Sequence, residues 1–127
     1  MEITRVEACR MIVCDRMDEE LERLIEKFGD TIVNYIPVGI LKDIFRACRR
    51  LYLEGRCGIA IHRPALTGAI FYYIFWVISG KGTKSTITQS EIKEVMDCSD
   101  GVIQKYVKFF KKTLKGGLPD GINSKQE

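Results

Sequence analysis

Apolar residues recur at three- and four-residue steps in several separate stretches of the chain, and no set of alternating stretches makes a plausible sheet. From Asp18 the positions Leu21, Leu24, Ile25, Phe28, Ile32 and Val33 follow a helical stripe. Asp18, Glu19, Glu20 and Glu22 would occupy its first turn, where the helix dipole favours acids. Pro37 is predicted to end it near Ile36. Upstream, EITRVEACRMIVC shows no clean period, and a docked arm, an extra helix and a short strand all remain open.

A second helix is predicted with Ile40, Leu41, Ile44, Phe45, Cys48, Leu51 and Tyr52 on its apolar side. Lys42, Asp43, Arg46, Arg49 and Arg50 lie on the other side, and Gly55 stands where a stop belongs. A third begins at Pro64 and is apolar nearly all round, so other helices must surround it. Its small residues Ala65, Gly68 and Ala69 would let a neighbour approach closely. After the loop SGKGTKSTI, a fourth, short helix opens at Thr88 with Glu91 three residues on, the spacing of a capping box. Ile92, Val95 and Met96 form its apolar face. Asp97, Cys98 and Ser99 turn the chain into a fifth helix with Ile103, Tyr106, Val107, Phe110 and Leu114 inward. The remainder, KGGLPDGINSKQE, is rich in Gly and polar residues and is expected to be flexible.

The fold class is therefore all-α: five helices around a central apolar one. The expected organisation is an N-terminal arm or extra element at 1–17, a helical domain at 18–115 and a tail at 116–127. A length of 127 residues suits one domain with one core. The run from Pro64 to Ile78 is shorter than the ~20 residues needed to span a bilayer, which favours a buried helix over a membrane segment.

The net charge of +3 is unevenly placed. Residues 1–57 carry ten Lys and Arg against eleven acids, whereas residues 58–127 carry ten against six. The basic excess thus lies in the C-terminal half, which permits a nucleic-acid or acidic partner without requiring one. The five cysteines, Cys9, Cys14, Cys48, Cys57 and Cys98, form no CxxC pair, so a zinc site is not expected. The reading is of an intracellular chain with reduced thiols, cytoplasmic or nucleoid-associated. The glycine–lysine loop fails as a phosphate-binding P-loop, because Phe75 stands where the first glycine belongs and no strand precedes it. His62 has no second His for a metal pair, and no Ser/His/Asp set exists; neither an enzyme nor a cofactor is expected. His62 is expected to cap or pack at the start of the third helix.

The last two helices have the proportions of a helix-turn-helix, a short helix, a tight turn and a longer basic helix. In that motif the first turn of the second helix meets base edges while flanking cations contact phosphates. Ser99, Asp100, Gly101, Gln104 and Lys105 would be presented there, and Lys108, Lys111, Lys112 and Lys115 continue along the polar side. Gln104 can pair bidentately with adenine, and Lys105 can reach guanine or a phosphate. Asp100 would accept from a cytosine amino group or else repel phosphate. Arg63 at the start of the third helix and Lys84 in the loop between the third and fourth helices complete the candidate set. The same pattern is open to a protein interface, or to a solvated face whose lysines simply suit a helix C-terminus.

The stretch TQSEIKEVMDCSDGVIQKYVKFFKKTL resembles the end of a cyclin-like repeat of transcription factor IIB and its archaeal counterpart, where TQ, E, I, V, S, I and Y recur in this order. ILKDIFRACRRLYLEG is similar to that family's second helix, and HRPALTGAIFYYIFWVISG to its central one. The resemblance covers roughly Asp18 to Leu114 and implies a cyclin-box domain that binds double-stranded DNA through the fifth helix, with basal transcription proteins as further partners. This chain has room for one repeat where the family has two, and it lacks the family's zinc ribbon. Bulky Phe71, Tyr72, Tyr73, Phe75 and Trp76 replace the usual alanines, and Gln104 stands where an arginine is frequent. A homodimer would mimic the tandem arrangement. A cyclin-fold protein-interaction module without DNA binding is the alternative, using Arg46, Arg49 and Arg50 or the apolar N-terminal segment.

Overall fold

A helix without a polar side has to be enclosed, and that requirement organises the molecule. The computed structural model describes residues 5–54, 61–80 and 87–119, all of whose regular elements are helices. They are α1 (Arg5–Ile32), α2 (Val38–Leu53), α3 (Arg63–Ile78), α4 (Gln89–Met96) and α5 (Asp100–Leu114). α3 is buried continuously from Ala65 to Phe71 and again from Tyr73 to Phe75. It packs against α1, α2, α4 and α5. Each Phe, Ile or Leu it buries contributes about 1.5–3 kcal/mol, so this helix dominates the core. No described helix is long and apolar enough to cross a membrane.

The small-residue patch acts where the sequence places it. A Cβ on Gly68 would lie 2.8 Å from the Ile92 Cγ2 methyl and 3.4 Å from Met96 Cγ, so α4 sits directly on the backbone of α3. Gly68→Ala gains roughly 1 kcal/mol of helix propensity but incurs about 1–3 kcal/mol of overpacking. A net loss of roughly 1 kcal/mol is expected, seen as a lower urea midpoint with an unchanged slope. An unchanged or higher midpoint would show that α4 moves aside freely.

α1 differs from expectation. It begins at Arg5 and passes through Asp18 unbroken, because the inward stripe continues upstream from Leu21 through Met17 to Val13. The acids are therefore in mid-helix and do not serve its dipole. Asp18, Glu20 and Glu22 pair instead with Arg49, Arg63 and Lys42. The helix kinks at Phe28 (φ −110°, ψ 15°), ends at Ile32 rather than Ile36, and leaves Val33 exposed. A turn then leads to Pro37, which occupies the N-cap position of α2.

The tail is also corrected in part. Lys115 and Gly116 both adopt positive φ (53° and 79°), which stops α5 and folds the chain back. The Tyr73 hydroxyl donates to the Gly117 carbonyl at 2.6 Å, Leu118 packs on the core and Pro119 is buried. Residues 116–119 thus belong to the domain. The expectation for 120–127 falls outside the described residues, as do those for Gly55, Cys57 and Lys84. Of the cysteines, Cys48 is fully buried and burial pushes its thiol up to about 12, so it stays protonated as a small core residue. No cluster of metal-ligating side chains occurs among the described residues.

Candidate nucleic-acid interface

Thr88 sets the start of α4. Its Oγ1 accepts from the Glu91 N–H at 3.2 Å, while the Thr88 N–H donates to Glu91 Oε1 at 3.0 Å, completing the capping box. These bonds from Thr88, first from its backbone and then from its hydroxyl, hold the Glu91 carboxyl below its ordinary 4.5. A carboxyl lowered in the folded state stabilises fully above its unfolded pKa and loses that contribution as pH falls through the folded value. Glu91→Gln is expected to flatten this part of the acid limb of a stability–pH curve. A limb of unchanged shape would exclude the box as its source.

α4 ends at Asp97 in the left-handed region (φ 53°), whose N–H bonds the Lys93 carbonyl at 2.8 Å. Ser99 follows at the N-cap of α5 in extended geometry, and its side chain makes no capping bond. The turn between the helices is Asp97, Cys98 and Ser99, as the sequence implies. Ile103, Tyr106, Val107 and Phe110 fix the inner face of α5 against α3. The Tyr106 hydroxyl accepts from the His62 N–H at 2.9 Å, while His62 Nδ1 caps α3 by accepting from the Ala65 N–H at 3.3 Å.

The outer face of α5 carries the polar candidates. Gln104, Lys105, Lys108 and Lys112 are exposed at three- and four-residue steps, with Ser99 and Asp100 exposed at the leading end. Asp100 is the single acid on this helix. Its Oδ2 pairs with Lys93 Nζ at 3.3 Å, so its charge is partly offset by a neighbour on α4. Gln89, the first residue of α4, reaches across the pair: its Nε2 donates to the Asp100 carbonyl at 3.4 Å, and its Oε1 accepts from Gln104 Nε2 at 2.8 Å. Gln104 is thereby steadied at the front of α5 with Oε1 and one N–H left in its inventory, the acceptor–donor pair that adenine's major-groove edge requires.

Not every candidate joins this face. Lys111 Nζ rests 4.4 Å over the Trp76 ring of α3, a cation–π contact that commits it to the protein. Arg63 pairs with Glu20, its Nε 2.9 Å from Oε2, and so part of its donor capacity is spent within the fold. Gln89 escaped the sequence reading. Its only mark is that it directly follows a capping threonine, at a step that does not look like a partner for Gln104. No protein-family model, curated protein or solved structure matches this chain.

Proposed function

We propose that the domain binds duplex DNA through α5 and acts as a transcription regulator or initiation-factor-like protein of the single cyclin-repeat kind. The observation that carries this reading is the α4–α5 unit: a capped short helix, a left-handed turn, and a lysine-bearing helix whose leading Gln104 is steadied by Gln89. With Asp100 partly offset by Lys93, the face presents Lys105, Lys108 and Lys112 to phosphate. The resemblance to the transcription factor IIB repeat supports the same placement of a reading helix, and makes basal transcription proteins the natural second partners.

Electrophoretic retardation of a random-sequence duplex pool across a salt series tests this. About three lysine–phosphate contacts should give a log K against log salt slope of about −3. No retardation at low salt would overturn the reading. The second reading, a cyclin-fold protein-interaction module, draws on Met11 and Ile12, which are 54% and 61% exposed on α1. One stoichiometric protein partner without any DNA binding would decide for it. Pairing of two copies is checked by light scattering, where a monomer at working concentration excludes the homodimer.

A further inference from the structure

The first half of α1 and the second half of α2 border an open-sided cavity of about 460 Å³ lined by Arg10, Cys14, Arg46, Arg49, Arg50 and Glu54, together with Leu53. Four arginines thus border one space, with Glu54 the single acid among its lining residues. Two have evident work in the fold. Arg10 Nη2 donates to the Leu53 carbonyl at 3.3 Å, satisfying the end of α2. Arg49 joins the helices: its Nη1 donates to Asp18 Oδ1 at 2.7 Å and to the Cys14 carbonyl at 3.2 Å, and its guanidinium lies 5.8 Å from the Phe45 ring centre.

Arg46 and Arg50 carry lighter duties: Arg46 pairs with Asp43, and Arg50 stands in the last turn of α2, where a cation suits the helix dipole. Both are exposed, and Arg46 reaches Asp43 only at 3.4 Å along its own helix. They stand four residues apart, where like charges on a helix repel. Arg49, meanwhile, is oriented by its partners, with an 11% exposed side chain and one nitrogen, Nη1, bonded to both Asp18 and the Cys14 carbonyl. A guanidinium oriented in advance, flanked by two more on the same cavity, matches the flat, two-pronged recognition of a phosphoryl group.

We propose that this cavity between α1 and α2 is a binding site for a phosphoryl group, with Arg49 as the fixed anchor and Arg46 and Arg50 closing on the remaining oxygens. The space lies within the ordinary range for small-ligand sites, so it takes the group together with part of its carrier. The site is independent of the DNA reading and persists if that reading fails.

Calorimetric titration of the full chain with inorganic pyrophosphate, at ionic strength held constant with potassium chloride, is the direct test. Saturable binding at one site per chain is expected. The Arg46→Gln, Arg50→Gln double variant should bind about tenfold or more weakly, because charge-assisted bonds are lost. The same variant should stay folded with a melting transition close to the parent's, since both side chains are exposed and outside the core. The Lys105→Glu, Lys108→Glu variant should bind pyrophosphate as the parent does. A phosphoserine peptide run beside its unphosphorylated form distinguishes sources: tighter binding than pyrophosphate assigns the group to a protein partner, and weaker binding to a small molecule. No saturable binding by the parent, undiminished binding by the arginine variant, or loss of binding in the lysine variant would each overturn the proposal.

Discussion

Exchanging Lys105 and Lys108 for glutamate is expected to remove duplex binding, weakening it at least about 100-fold at low salt. Both side chains are exposed on the middle of α5, one turn apart on the outer face. Each replacement turns an attraction for phosphate into a repulsion and abolishes the counterion release that drives association. Neither residue packs inward, so the melting transition should hold to within about 0.5 kcal/mol of stability. Fluorescence anisotropy with a labelled duplex, paired with a thermal melt, separates the two effects. Unchanged affinity in a folded variant would remove α5 from the interface. Lys111→Glu is a poorer probe, because it also breaks the contact with Trp76.

The second large effect concerns stability. Glu20 is 2% exposed; its Oε2 accepts from Arg63 Nε and its Oε1 from the buried Thr67 hydroxyl, each at 2.9 Å. Arg63→Met should cost about 3 kcal/mol, the lower end of the range for breaking a buried pair, because Arg63 itself keeps partial access to water. The loss comes mainly from stranding the Glu20 carboxylate. Adding Glu20→Gln to that variant should therefore recover a substantial part of it, an interaction read from a double-mutant cycle in urea. Additive losses would show that the two side chains act separately. If Arg63 served DNA instead, its replacement would weaken binding and leave the urea midpoint in place.

Much of the helical plan was open to inspection in the residues. The apolar stripes of α2 and α5, the all-round apolar α3 and the Thr88–Glu91 spacing are local patterns, and local patterns survive in a linear reading. What escaped was mostly long-range. Glu20 finds Arg63 and Thr67 more than forty positions away, and nothing near Glu20 marks it as buried. The upstream half of α1 was hidden because Met11 and Ile12 are apolar yet exposed, which blurs the stripe of Val13, Met17 and Leu21. The docking of residues 116–119 depends on a tyrosine hydroxyl meeting a backbone carbonyl, which leaves no side-chain signature at the receiving end. At the candidate interface, the lysine periodicity was visible, while the commitment of Lys111 to Trp76 and the Gln89–Gln104 bond required three dimensions.

The left-handed stop at Lys115 and Gly116 carries a consequence for scale. It fixes α5 at 15 residues, a rod of about 22 Å, and the fold-back bars any extension. One turn of duplex occupies about 34 Å. If α5 lies along a major groove, the stretch of base edges it can reach is therefore well under one turn. A recognised site longer than a few base pairs would require a second copy on the same face, and its half-sites should then be spaced by whole helical turns.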